Sequence, residues 1–313
     1  MLTLSLFALG LLLTVKGADW FTGSAVWMAT VTRIPEVIIG ATVVSLATTL
    51  PEFSVSAYAA YSSHSGLALG NAIGSNIANI GLILGASVLL RAISLEPRLL
   101  LSEGLFMVFA GFTMLFLVRD GVLSGSEGWL LFLLLAAYIY YTVTSARKER
   151  NKNRVPGTNS DRTSKEAILL NLGKFGLGIA AVILGSRLMV QHGAQIARIL
   201  GVPEMVIGLS LVAIGTSMPE LITALTCVFK GHQGLSVGNI IGANFLNMTW
   251  VLGGSALIRP LPVSDSLLKT DLPIMMLFMA ALLLFGARNG KLERWKGAAL
   301  LAGYAVYVLA LFS

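Results

Sequence analysis

Gly40-Ala-Thr-Val-Val-Ser-Leu-Ala-Thr48-Thr49-Leu-Pro51-Glu52 and Gly208-Leu-Ser-Leu-Val-Ala-Ile-Gly-Thr216-Ser217-Met-Pro219-Glu220 are one stretch written twice, 168 residues apart. A second matched segment follows each copy. In the first half it is Gly70-Asn71-Ala-Ile-Gly74-Ser75-Asn76-Ile-Ala-Asn79, and in the second Gly238-Asn239-Ile-Ile-Gly242-Ala243-Asn244-Phe-Leu-Asn247. Both copies set a carboxylate beside a proline in the middle of an apolar run. An ionisable side chain at that depth is costly and marks function by default.

Around these stretches the chain is too apolar for a soluble core. Of 313 residues, 56% are hydrophobic and 12% charged, against about 25% charged in soluble domains. Apolar segments fall at roughly 2–28, 35–62, 66–91, 98–118 and 127–146, and again at roughly 166–198, 203–229, 234–258, 268–287 and 293–312; about 20 helical residues cross a hydrocarbon core of about 30 Å. The fold predicted is an all-α polytopic membrane protein with ten transmembrane helices. Met1 to Val15 has no basic leading region and no obvious cleavage site, so it reads as the start of the first span. The single cysteine, Cys227, excludes an internal disulfide framework and a Cys-based metal cluster, and reads as a packing residue.

Residues 147–165 are polar and basic and contain Pro156-Gly157, which makes them a surface linker between two halves. The organisation expected is a first five-helix repeat over 1–146 (motif 40–87), the linker, and a second repeat over 166–313 (motif 208–255). Net charge is +7, but the basic residues lie between apolar segments, which fits membrane orientation rather than nucleic acid. With the linker inside, fifteen basic residues fall on the cytoplasmic side and four outside, so both termini face outward. Five helices per half is an odd number, so the halves insert with opposite orientation. The ungapped register extends from Pro35-Glu36 and Pro203-Glu204 through His64 and His232 to Gly85 and Gly253. An inverted-topology repeat is a transporter signature, with the site near the midplane where the halves meet.

Proline within a helix removes one backbone hydrogen bond and crowds the carbonyl four residues earlier. Pro51 thus frees the Ala47 carbonyl and Pro219 that of Gly215, with Ser45 and Ala213 loosened beside them. Such carbonyls are tolerated where they line a cavity or bind an ion. Thr48 and Glu52, like Thr216 and Glu220, share a helical face, as do Ser75 and Asn79, and Ala243 and Asn247. These are hard oxygen donors, suited to Ca²⁺, Mg²⁺ or Na⁺ rather than Zn²⁺ or Cu. Two carboxylates balance one Ca²⁺ or two Na⁺, and competition for the same oxygens is a route to antiport. Gly70, Gly74, Gly238 and Gly242 permit close helix approach. Lys16 and Asp19 read as a local ion pair, Glu36 and Glu204 as helix-start carboxylates, and His64 and His232 as loop histidines or pH sensors. No His-Glu-x-x-His motif and no nucleophile with its base appears, so the chain is not read as an enzyme. A cation channel is disfavoured because channels are usually symmetric oligomers of parallel subunits.

At these motifs the chain resembles the sodium/calcium exchangers of the calcium/cation antiporter superfamily, in their compact archaeal and bacterial form, over its whole length. The resemblance implies a secondary antiporter exchanging Na⁺ for Ca²⁺ by alternating access, in a prokaryotic plasma membrane, with no cofactor and one chain as the transport unit in lipid. It makes Glu52 and Glu220 the shared acidic ligands, with Thr48 and Thr216 adding oxygens, Thr49 and Ser217 beside them, and Ser45 and Ala213 offering carbonyls. Ser75, Asn79 and Asn247 match positions lining the sodium sites. Ala243 stands where many members have Ser, which removes a hydroxyl there. Asn247 stands where compact prokaryotic members often have Asp, and argues against potassium coupling. Proton/calcium relatives carry Glu at the places of Gly74 and Gly242, which argues against that alternative. The long first and sixth helices, roughly 2–28 and 166–198, are implied to slide across the core.

Overall fold

The computed structural model describes residues 2–94, 96–152, 164–200, 217–287 and 290–311. Among them, seven helices are long and apolar enough to cross a membrane, or eight when a pair bent by 45° counts as one span. The seven include α1 (Leu2–Thr32), α7 (Pro97–Leu117), α8 (Gly125–Lys152) and α9 (Lys165–Ile199). The two remaining expected spans appear as shorter helices, α10 (Met218–Lys230, 13 residues) and α14 (Arg294–Ala310, 17 residues).

The bent pair is the motif-bearing second span. It runs α2 (Glu36–Ile39), a π-turn at Gly40–Val44, α3 (Ser45–Thr48) and then α4 (Leu50–Tyr61). The break falls at Thr49, two residues before the proline that cannot donate to the ladder. Thr49 N–H still reaches Ser45 O at 2.9 Å, and the ladder resumes with Phe53 N–H on Thr49 O at 3.0 Å. The second half repeats this restart, with Leu221 N–H on Ser217 O at 3.0 Å.

The third span runs α5 (Ser65–Ala78), a π-turn at Asn79–Leu84 and α6 (Gly85–Leu90). The eighth runs α11 (Gln233–Leu246), a π-turn at Asn247–Val251 and α12 (Leu252–Ile258). These two form the centre: 72% and 89% of their apolar windows are buried, against 22% in α1 and 11% in α9. α1 and α9 therefore pack on the outside, and α13 (Leu272–Ala287) closes the bundle against α7.

The all-helical expectation needs one correction. Two short antiparallel strand pairs tie loops across the halves: β1 (Ile93–Ser94) with β4 (Lys291–Leu292), and β2 (Val122–Leu123) with β3 (Leu261–Pro262). Two-residue strands carry no periodicity that a sequence pattern can reveal. At the β1–β4 end Arg91 also donates to Val228 O, and His232 meets Glu36 at 2.8 Å. Arg259 donates to Ser63 near the β2–β3 end.

Two minor expectations change with these contacts. Asp19 pairs with Lys230 of α10 at 2.9 Å rather than with Lys16. Glu36 stands in the first turn of α2, as expected of a helix-start carboxylate, and also meets His232, so His232 is the partner of another span rather than a bystander in its loop.

α1 and α9 cross antiparallel, with Gly10 facing Gly185 and Gly17 facing Gly178. A Cβ on Gly17 would lie 2.7 Å from the Gly178 carbonyl oxygen, so only glycine permits this approach. Gly17→Leu is expected to wedge the helices apart at about 1–3 kcal/mol, lowering the melting temperature in detergent. Gly23→Leu, where no described atom lies within 4 Å, should leave it unchanged; equal melting of the two would refute this packing.

Candidate functional site

The broken span delivers Thr48, Thr49 and Glu52 to the interior, and the start of α10 delivers Ser217 and Glu220. All five are buried, the two glutamates at 1% exposure. The two carboxyl groups come from opposite halves and lie close enough to repel when both are charged. A second layer joins the spans. Ser217 Oγ donates to Ser75 Oγ at 3.1 Å, and Thr48 Oγ1 to Asn239 Oδ1 at 3.1 Å.

The asparagines beneath form a reciprocal lattice. Asn76 Nδ2 donates to Asn244 O (3.2 Å), and Asn244 Nδ2 donates to Asn76 O (3.3 Å). Asn79 Nδ2 bonds Asn244 Oδ1 (2.9 Å), while Asn247 Nδ2 bonds Asn76 Oδ1 (3.0 Å). Every bond maps onto another when 168 is added to one partner and subtracted from the other. Committing the amide nitrogens in this way leaves the Oδ1 atoms of Asn79 and Asn247 as buried acceptors without a partner. Glu52 Oε2, Glu220 Oε2 and Thr49 Oγ1 are in the same condition. A buried polar atom without a partner is expensive, so these oxygens suit a cation that supplies the missing interaction. No cluster of three or more His, Cys, Asp or Glu occurs among the described residues. Two carboxylates with neutral oxygens make a donor set for a hard cation.

The other expected positions are less uniform. The Ser45 carbonyl accepts Thr49 N–H and, at 3.4 Å, the Thr48 hydroxyl. Ala243 is fully buried and offers only its backbone. Thr216 and Ala213 lie outside the described residues, as do Pro203, Glu204 and Gly208. Gly238 and Gly242 pack on the carbonyls of Val37 and Ala41, as close approach requires. Among the described residues nothing lies near a Cβ at Gly70 or Gly74, and the repeat equivalents of Val37 and Ala41 fall outside that set.

Sequence reasoning passed over Asn76, Asn244 and Asn239 as ordinary members of the motif. Their signal was present, because Asn76 and Asn244 are in register and stand three residues before Asn79 and Asn247. Asn76→Ala is expected to remove the donor to Asn244 O and the acceptor of Asn247 Nδ2, leaving that nitrogen unpaired. A loss of about 2 kcal/mol follows from one buried unsatisfied group, readable as a lower melting temperature, whereas an unchanged melt would remove the lattice from the account of stability.

A family model described as sodium/calcium exchanger protein matches residues 2–144 and 170–313. The chain belongs to the sodium/calcium exchanger family. Among family relatives, it is 31% identical to sodium/calcium exchanger MaX1 of Methanosarcina acetivorans over 97% of each chain. It is 36% identical to inner membrane protein YrbG of Escherichia coli over all of this chain and 97% of that one. Its fold matches the structure of the sodium-calcium exchanger NCX_Mj soaked with 10 mM Na⁺ and zero Ca²⁺, at TM-score 0.83 and 32% identity over 99% of both chains. As a family member it is an integral membrane cation/Ca²⁺ exchanger, and its relatives are transporters rather than enzymes.

Proposed function

We propose that the chain is a secondary antiporter exchanging Na⁺ for Ca²⁺ by alternating access at one site shared between its halves. The observation that carries this reading is the set of buried oxygens without partners, Glu52 Oε2, Glu220 Oε2, Asn79 Oδ1, Asn247 Oδ1 and Thr49 Oγ1, on two halves whose carboxylates face one another. Two negative charges neutralise one Ca²⁺, and neutral oxygens complete a flexible shell. Thr48, Thr216, Ser217, Ser75 and the backbone at Ser45, Ala213 and Ala243 are the further members of the proposed ligand set. The same oxygens serve Na⁺ when Ca²⁺ leaves, so the ions compete rather than bind together.

The reciprocal asparagine lattice and the glycine pairs of α1 and α9 support two inverted five-helix repeats, because each contact has its counterpart at an offset of 168. Ten spans belong to this reading. The loop ties support alternation: the β1–β4 loops, Glu36 and His232 gather at one end, where the basic residues concentrate, and the β2–β3 loops at the other. The basic end and the 147–165 linker are cytoplasmic in this reading, with both termini outside, and one chain holds a whole site.

Vesicles holding the purified protein and loaded with Na⁺ should take up ⁴⁵Ca on dilution into sodium-free buffer. Uptake should collapse when a sodium ionophore dissipates the gradient. Uptake driven by a pH gradient without sodium would replace this reading with proton coupling, and uptake needing no counter-ion would replace it with a channel.

A further inference from the structure

A third acidic residue lies within the bundle, away from the ion site. Glu103 of α7 is 1% exposed, and its Oε2 accepts the Tyr138 hydroxyl at 2.7 Å. Tyr138 of α8 is itself 2% exposed and clamped between Phe106 and Phe245, with ring centroids 5.3 and 4.3 Å away. The same hydroxyl lies 3.2 Å from the carbonyl oxygen of Ala41. Ala41 sits in the π-turn Gly40–Val44, immediately before the short helix that carries Ser45 and Thr48. The same carbonyl is packed directly on Gly242.

One hydroxyl hydrogen cannot serve both acceptors. If Glu103 is ionised, Tyr138 donates to the carboxylate, the stronger acceptor, and the Ala41 carbonyl loses its donor. If Glu103 carries a proton, the carboxyl O–H donates to the Tyr138 oxygen, and Tyr138 O–H is released to Ala41. The chain Glu103 to Tyr138 to Ala41 is then complete. Among the described residues, the elements packed on α7 offer Glu103 no counter-charge. α11, the π-turn Asn247–Val251 and α13, which pack against α7, contain no titratable residue. α8 presents Tyr138 and, one position beyond Tyr140, Tyr141 on Phe106. Arg98 is the other charged residue of α7, more than one turn earlier.

We propose that Glu103 and Tyr138 are positioning residues for ion transport: through the Tyr138 hydroxyl they hold the Ala41 carbonyl, and with it the ligand-bearing second span, whenever Glu103 is protonated. This rests on the antiport reading for its transport readout and on hydrogen bonding alone for its structural one.

Tyr138→Phe removes the donor while keeping the ring. It is expected to lower maximal ⁴⁵Ca uptake about tenfold, the loss equivalent to one hydrogen bond at the upper end of its usual range, with little change in half-saturating calcium. Glu103→Gln cannot ionise, and its amide N–H can donate to the Tyr138 oxygen. The wild type is expected to lose uptake as pH rises and Glu103 ionises; Glu103→Gln should keep wild-type uptake at neutral pH and abolish that decline. Hydrogen–deuterium exchange of residues 36–48, corrected for intrinsic pH dependence, supplies the second readout. Exchange should be faster in Tyr138→Phe than in wild type and Glu103→Gln. Wild-type uptake and pH profile in Tyr138→Phe, or wild-type exchange in that variant, would overturn the proposal. A wild-type protein without sodium-driven uptake but with the exchange contrast would instead sink the antiport reading and leave the positioning pair standing.

Discussion

Glu52→Gln and Glu220→Gln are each expected to cut sodium-driven ⁴⁵Ca uptake by about a hundredfold or more. Truncating one partner of a buried charge interaction costs about 2–5 kcal/mol, and about 2.8 kcal/mol is already a factor of one hundred. The substitution is nearly isosteric, so it tests charge rather than shape. Both side chains are 1% exposed, and Glu52 Oε2 and Glu220 Oε2 are buried without a partner. An amide keeps the size and shape of the side chain. It cannot keep the second negative charge, and Ca²⁺ in the bundle would then carry an uncompensated positive charge into a low-dielectric surrounding. The folded protein should survive, because the variant also removes repulsion between two facing carboxylates. Normal uptake by either variant, with a wild-type melt, would take that carboxylate out of the site.

Gly242→Val is expected to give the largest loss of stability, about 3 kcal/mol or more. A Cβ at Gly242 would lie 2.6 Å from both the carbonyl carbon and the Cα of Ala41, and closer still to its oxygen. The obstacle is backbone, which has no flexible end to swing away. Relief requires the second span to leave α11, and that movement breaks the Thr48–Asn239 bond and withdraws Tyr138 from Ala41. Little monodisperse protein should survive purification, and what survives should melt far below wild type. Gly66→Val, at a position with no described atom within 4 Å of a Cβ, is the matched control. A Gly242→Val protein melting with the wild type would show that the two halves do not depend on this contact.

The two halves are unequal beside the carboxylates despite their common pattern. In the first half Asn71 Nδ2 bonds the Glu52 carbonyl at 3.2 Å and Ser56 Oγ at 3.0 Å. The second half has Ala224 where Ser56 stands, so Asn239 Nδ2 lacks the hydroxyl that Asn71 Nδ2 finds and is buried without a partner, while its Oδ1 accepts the Thr48 hydroxyl across the interface.

What the sequence determined by itself follows from short-range rules. Helices, their apolar lengths and the basic linker follow from composition and spacing. The two carboxylates stood out because nothing else explains an acid beside a proline in an apolar run, and the break at Thr49 follows from the hydrogen that proline lacks. Tertiary structure alone decided which acceptors remain available. Whether an asparagine offers its oxygen depends on where its nitrogen is committed, and Asn79 and Asn247 commit theirs to Asn244 and Asn76, each in the opposite half. The π-turns at Asn79 and Asn247 and the Glu103–Tyr138–Ala41 chain are equally non-local. Each joins residues 35 or more positions apart or widens one helical turn without changing the hydrophobic pattern, so only packing could place them.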